Sequence, residues 1–186
     1  MSRFEIGFKD INYNQPISQH MQTNIAIIAL AALVPLIMGF IWYHPKVMGN
    51  AWMKVAQVSE ESMKSSNMVL IFGLTYIFSF LLSISLQYLT IHQLSLWAIV
   101  AGQPDYMNPN SEAGQMVTAF LSKYGNEFRT FKHGALHGVI SAITIALPIL
   151  GINALFERKP RKYIFIHLGY WVITLGVMGG IICAFA

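Results

Sequence analysis

The chain has 186 residues, of which 55% are hydrophobic and only 11% are charged. Soluble domains carry about 25% charged residues, so this composition excludes an ordinary soluble domain. The net charge is +4, but no segment is rich in both basic and aromatic residues. We therefore predict no nucleic-acid partner. The charged residues form four clusters, and each of the four charge-free stretches can cross a hydrocarbon core of about 30 Å.

The first charges belong to a polar N-terminal arm over residues 1–22. No basic run adjoins the apolar segment that follows, which is long and holds a proline, so we interpret it as a retained helix rather than a signal peptide. The rest of the chain, 23–186, is predicted to be an all-α integral membrane four-helix bundle. Its spans are expected at about 24–43, 67–90, 132–156 and 163–185.

The first span contains a proline and ends in aromatic residues. Pro35 is expected to bend this helix, because proline has no backbone donor. Trp42, Tyr43 and Trp52 are predicted interface anchors, because Trp and Tyr are enriched at the level of the lipid head groups.

An uncharged segment continues beyond the second span. A single helix over 67–102 would be about 54 Å long at 1.5 Å per residue, so its end is expected to project into water or lie along the interface. The loop over about 103–131 opens with turn residues and continues with apolar residues at helical spacing, with Ser111 as a candidate N-cap. We predict a partly helical loop that packs over the bundle, with a substrate lid as the alternative.

The basic residues predict the orientation. Four crossings place both termini on one side of the membrane. The segment ERKPRK, residues 157–162, has four basic residues among six, directly between two spans, where the positive-inside effect is strongest. We therefore predict a multi-pass protein of a bacterial inner membrane, with both termini and the loop over about 103–131 extracytoplasmic.

Two histidines begin the third span, in the segment RTFKHGALHGVI. His133 and His137 are one helical turn apart and share a face, a spacing that can bind zinc, copper or haem iron. A zinc site needs one or two further ligands, and His92 at the end of the second span is the best candidate, followed by Glu112 or Glu127 of the outer loop. Hydrogen bonding between helices is the first expectation for these histidines, with metal or haem binding and proton relay as the alternatives.

Glycines next to these histidines suggest close helix packing. Gly134 and Gly138 form one GxxxG step, and Gly176 and Gly180 form another in the last span. Such steps let helix backbones approach each other closely in a membrane. All four are predicted helix-packing residues, which makes the histidines candidates for a structural role as well.

The chain shows no HExxH motif, no cysteine pair and no recognisable nucleophile–base arrangement. We therefore predict no catalytic residues and no enzymatic activity. No cofactor is the first expectation, with a metal ion or haem as the alternative.

The segment GFIWYHPKVMGNAWMK resembles the start of a bacterial membrane family called domain of unknown function 1761. The shared residues are Gly39, Trp42, Tyr43, Pro45 and Trp52. The step His137–Gly138, the mid-helix proline and the ending NALFE are similar to that family as well. The resemblance covers about 24–184 and implies four membrane helices with no established activity.

Three functions are compatible with these features. The first is a non-catalytic accessory or assembly subunit, bound to other membrane subunits or to copies of itself within the lipid bilayer. The second is a metal- or haem-binding redox protein that uses His92, His133 and His137. The third is a small channel or carrier.

Overall fold

The structure, a computed structural model, describes residues 23–103, 105–108 and 110–186. The polar arm predicted over 1–22 lies outside the described residues. The described part is helical and without strands, which confirms the all-α class. Its α-helices are α1 (Ile25–Ala31), α2 (Val34–Trp42), α3 (Asn50–Ala56), α4 (Glu60–Lys64), α5 (Met68–Thr90), α6 (Gln93–Val100), α7 (Glu112–Tyr124), α8 (Phe131–Ser141), α9 (Leu147–Phe156) and α10 (Arg161–Phe185).

Contacts divide the chain into two units. The larger unit comprises Asn24–Thr90 and Thr130–Ala186, and the smaller one contains Ile91–Arg129. The described residues include four helices long and apolar enough to cross a membrane, as predicted: Ile25–Trp42, Met68–Thr90, Phe131–Phe156 and Arg161–Phe185. All four belong to the larger unit.

The first membrane-length helix is interrupted before Pro35. Helix α1 ends at Ala31, and the amide of Leu33 donates to the carbonyl of Leu30 at 3.0 Å, which tightens the last turn. Pro35 has no amide hydrogen to donate to the carbonyl four residues before it. It lies in the first turn of α2, where backbone amides have no helical acceptor, so the missing hydrogen costs no hydrogen bond. The regular α-helix is thus interrupted directly before Pro35, the residue at which the sequence predicts a bend.

The third membrane-length helix has a different irregularity. A π-helical turn, Ala142–Ala146, joins α8 to α9 ahead of Pro148. The ring of a proline crowds the carbonyl four residues earlier, and a wider turn relieves this contact. The hydroxyl of Ser141, at the end of α8, donates to the carbonyl of His137 at 2.8 Å.

Aromatic residues at the end of the first membrane-length helix and just after it bind this helix to α10. The indole nitrogen of Trp42 donates to the carbonyl of Ile166 at 3.1 Å, and the ring of Tyr43 lies 5.3 Å from that of Trp52. The Tyr43 hydroxyl is 2.7 Å from Nδ1 of His167. This hydrogen bond and that of Trp42 hold the end of the first membrane-length helix against α10.

Replacing Tyr43 by phenylalanine is expected to destabilise the protein by about 1–3 kcal/mol, because Nδ1 of His167 loses its hydrogen-bond partner in a partly buried site. Thermal unfolding in mild detergent measures the effect. Tyr88→Phe is the control, since the Tyr88 side chain is 61% exposed. Equal melting temperatures for the two variants would mean that the Tyr43–His167 hydrogen bond contributes nothing.

The smaller unit is a helical hairpin with its own apolar core. Trp97 and Val100 of α6 pack with Val117 and Leu121 of α7. Ser111 caps α7, because its hydroxyl accepts from the amide of Gly114 at 3.0 Å. The predicted helix in this loop and its N-cap are therefore confirmed.

Candidate metal centre

The candidate centre begins with the first two turns of α8. The hydroxyl of Thr130 accepts from the amide of His133 at 3.2 Å and caps the helix. His133 and His137 follow on one face, both partly buried, with their ring centroids 4.5 Å apart. A ring nitrogen of each lies within 4.8 Å of the other. One metal ion holds its nitrogens at about 2.0–2.1 Å, so a small side-chain rotation brings both into range.

Backbone contact with α10 fixes the direction in which these imidazoles point. A Cβ added to Gly134 would overlap the carbonyl oxygen of Gly179, and one added to Gly138 would overlap that of Leu175. The two helix backbones therefore touch, which only residues without a side chain permit at these positions. Because each histidine directly precedes one of these glycines, the contact fixes the rotation of α8 that sets the imidazole direction.

The glycine of α10 that approaches the backbone of α8 most closely is neither of the two glycines predicted from the sequence, Gly176 and Gly180. Gly179 lies against Gly134, whereas a Cβ on Gly176 would meet Cγ2 of Val139 at 3.4 Å, an ordinary contact. A Cβ on Gly180 would meet the ring of Phe131, at 2.5 Å from Cε2. All three glycines of the segment GVMGG lie against α8, and the rotation of α10 places Gly179 at the closest approach to the backbone of Gly134.

The end of α5 lies beside the same turn of α8. The thiol of Cys183 donates to the carbonyl of Thr90, the last residue of α5, at 3.3 Å. A Cβ on Gly134 would also overlap Cβ of Cys183. Within the larger unit, the end of α5 and the start of α8 are thus joined through one side chain of α10.

His92, the third predicted ligand, belongs to the smaller unit. It is exposed, takes the N-cap position of α6 and makes no capping hydrogen bond with its side chain. The structure therefore brings His133 and His137 together on α8, while His92 lies two residues after the end of α5 in the sequence.

A family model described as a protein of unknown function (DUF1761) matches residues 26–183. The chain belongs to the DUF1761 family. The match includes all four membrane-length helices and the smaller unit's α6 and α7, and it confirms the resemblance seen in residues 39–54. Neither the curated proteins nor the solved structures contained a match to the chain.

The histidine pair of this DUF1761 protein suits some metal chemistry better than others. Neutral imidazoles bind zinc, copper, iron and nickel. Two axial ligands of one haem lie on opposite faces of the macrocycle, whereas His133 and His137 project from adjacent turns of one helix. The pair therefore fits two neighbouring positions on a single ion and cannot supply both axial ligands of a haem.

Proposed function

We propose that this protein binds a single transition-metal ion through His133, His137 and His92. The observation that supports it is the pair of imidazoles on α8, whose nitrogens lie within 4.8 Å on a helix held by direct backbone contact with α10. Two ligands on a rigid helix lose little conformational entropy when a metal binds. The pair is therefore expected to bind a metal ion more tightly than two histidines on a flexible segment would.

Chain connectivity supports His92 as the third ligand. Thr90 is held by Cys183, which lies against Gly134 beside the first histidine of the pair. Two residues span at most about 7 Å, so His92 is tethered close to the end of α5. A third imidazole would complete a set of three nitrogen ligands.

A three-histidine set defines the kind of ion. Zinc and copper both accept imidazole, and three protein ligands leave one position of a tetrahedral ion open. Water or an incoming ligand would take that position. We place this centre on the extracytoplasmic side of a bacterial inner membrane, because ERKPRK marks the opposite ends of the third and fourth spans as cytoplasmic.

Metal content tests the proposal. Protein purified in mild detergent and loaded with either zinc or copper is expected to retain about one ion per chain after desalting. The double variant His133→Ala/His137→Ala is expected to retain almost none. His44→Asn is the control, because it removes an exposed imidazole elsewhere and can keep the cap that His44 provides to Lys46. Equal metal content in all three proteins would refute the proposal.

We propose a non-catalytic accessory or assembly role as the second candidate. Helix α5 buries only 17% of its most apolar stretch, against 50% for α10, so most of its surface is available to lipid or to another protein. A Cβ added to Gly73 of α5 would meet nothing within 4 Å. Exposed glycines of this kind suit contacts between membrane helices. A strictly monomeric particle after gentle extraction from native membranes would count against this role.

A further inference from the structure

Helices α9 and α10 are joined by a tight turn that carries basic side chains. Helix α9 ends at Phe156 and α10 begins at Arg161, and both belong to membrane-length helices of the larger unit. The connecting segment ERKPRK contains four basic residues and one acidic residue, Glu157. These cations therefore lie where two consecutive spans leave the hydrocarbon core, and the smaller unit has no part in placing them there.

Backbone hydrogen bonds give this turn a defined conformation. The amide of Lys159 donates to the carbonyl of Ala154 at 2.8 Å, and the amide of Arg158 donates to the carbonyl of Leu155 at 3.1 Å. Arg158 has a φ of 54°, in the left-handed region that glycine or asparagine usually occupies after a helix. The turn thus holds an arginine in a conformation that is unfavourable for its side chain, and such conformations are concentrated at functional sites.

The four basic side chains differ in their partners. Nζ of Lys159 donates at 3.2 Å to the carbonyl of Ala56, the last residue of α3, so Lys159 stabilises the larger unit itself. Arg158, Arg161 and Lys162 are exposed. Within the part of the chain that the structure describes, these three side chains form no hydrogen bond or ion pair. Their charges are therefore available to a ligand.

Free guanidinium groups select the chemistry of that ligand. Arg158 and Arg161 are three residues apart, so at most about 10 Å of chain separates them. Each guanidinium presents planar N–H donors that match two oxygens of a phosphate group. Glu157 repels an anion, but it is the one carboxylate in a segment with four basic residues. The segment therefore attracts anions and repels cations.

Exposed apolar side chains continue from these cations towards the hydrocarbon core. Phe165 follows Arg161 by four residues, so the two share a face of α10, and Phe165 is 66% exposed. Phe156, at the end of α9, is 87% exposed. A cation at the membrane boundary with apolar surface beneath it matches the phosphate and acyl chain of a lipid. A free phosphate or an acidic protein segment would leave the apolar surface without a contact.

We propose that the α9–α10 turn binds one anionic phospholipid, with its phosphate held by Arg158 and Arg161 and an acyl chain along Phe165. Basic pockets between membrane helices are known to hold such head groups. This function is independent of metal binding. It also differs from the positive-inside effect, which depends on the number of basic residues beside a span and not on particular arginines.

Native mass spectrometry of the full chain tests the proposal. The protein in mild detergent is mixed with equal amounts of phosphatidylglycerol and phosphatidylcholine that carry the same acyl chains. Phosphatidylglycerol is expected to be retained about tenfold more, because two arginines at a membrane surface favour an anionic lipid. Equal retention of the two lipids by the wild type would overturn the proposal.

The variant Arg158→Asn/Arg161→Gln is expected to retain the two lipids almost equally. Asparagine tolerates the left-handed conformation, so the lipid-free melting temperature is expected to stay near that of the wild type. Lys46→Gln/Lys64→Gln is the matched control, because it removes two exposed lysines from the loop between the first two spans. The control is expected to keep the tenfold preference. An equal loss of preference in both variants would assign it to overall charge and would overturn the proposal.

Two further measurements distinguish a lipid from a free anion. Phe165→Ala is expected to lower retention of phosphatidylglycerol about threefold, because the acyl chain loses an apolar contact. Phe78→Ala is its control, since Phe78 of α5 is 64% exposed. Inorganic phosphate in large excess is expected to displace no lipid from the wild type. Equal retention by the two phenylalanine variants, or displacement of the lipid by inorganic phosphate, would overturn the proposal.

Discussion

Replacing Gly138 by alanine is expected to destabilise the bundle severely. The new Cβ would overlap the carbonyl of Leu175, and backbone of α10 cannot move aside as a flexible side chain can. Overpacking typically costs about 1–3 kcal/mol, and separation of two helix backbones is expected to reach the upper part of that range or exceed it. This is a large share of the roughly 5–15 kcal/mol that stabilises a folded protein.

Thermal unfolding in mild detergent measures this effect, with Gly151→Ala as the matched control. Both glycines are helical, but a Cβ on Gly151 would meet nothing within 4 Å. Alanine there is expected to leave stability unchanged or raise it by up to about 1 kcal/mol, because alanine favours helices. Gly176→Ala is expected to be mild, since its Cβ would make an ordinary contact. If Gly138→Ala melts at the temperature of Gly151→Ala, the close approach of α8 and α10 is not required.

Replacing His92 by alanine is expected to weaken zinc or copper binding about a hundredfold. Structural zinc sites gain about 10–16 kcal/mol from four ligands, so one ligand of a smaller set contributes on the order of 3 kcal/mol. Competition with a chromophoric chelator measures the affinity, and His44→Asn is the control. This change tests the third ligand alone, because it leaves both histidines of α8 in place.

The alternative outcomes have distinct meanings. Wild-type affinity in His92→Ala, together with a large loss in His133→Ala, would mean that the third ligand is not His92. Wild-type affinity in both variants would refute a histidine centre altogether.

The four membrane-length helices could be predicted from the sequence because a charge inside a hydrocarbon core is costly, and the charge-free stretches mark the spans directly. The helix interruption at Pro35 and the cap by Ser111 were equally accessible, since each depends on the chemistry of one residue and its near neighbours. Local rules thus predicted most of the secondary structure.

Contacts between helices could not be predicted in the same way. The bond between Tyr43 and His167 joins residues 124 positions apart, and Gly179 meets Gly134 only because α10 has one particular rotation. Trp42 was predicted as a lipid anchor, yet its indole nitrogen donates to a carbonyl of α10. Sequence periodicity identifies which residues share a face, but tertiary packing decides what that face meets.

The histidine pair illustrates both cases. Its spacing of four residues predicted that His133 and His137 would lie side by side, and their centroids are 4.5 Å apart. The left-handed backbone conformation of Phe128, with a φ of 61°, depends on the turn after α7, for which the sequence offers no comparable signal.

X-ray absorption spectroscopy of the metal-loaded protein tests the central proposal most directly, because it counts the ligands of the ion. The proposed zinc centre is expected to show nitrogen ligands at about 2.0–2.1 Å with the outer-shell scattering of three imidazoles. His92→Ala is expected to reduce that number to two. A first shell of oxygen alone, or an imidazole count that is the same in His133→Ala/His137→Ala, would contradict the proposal.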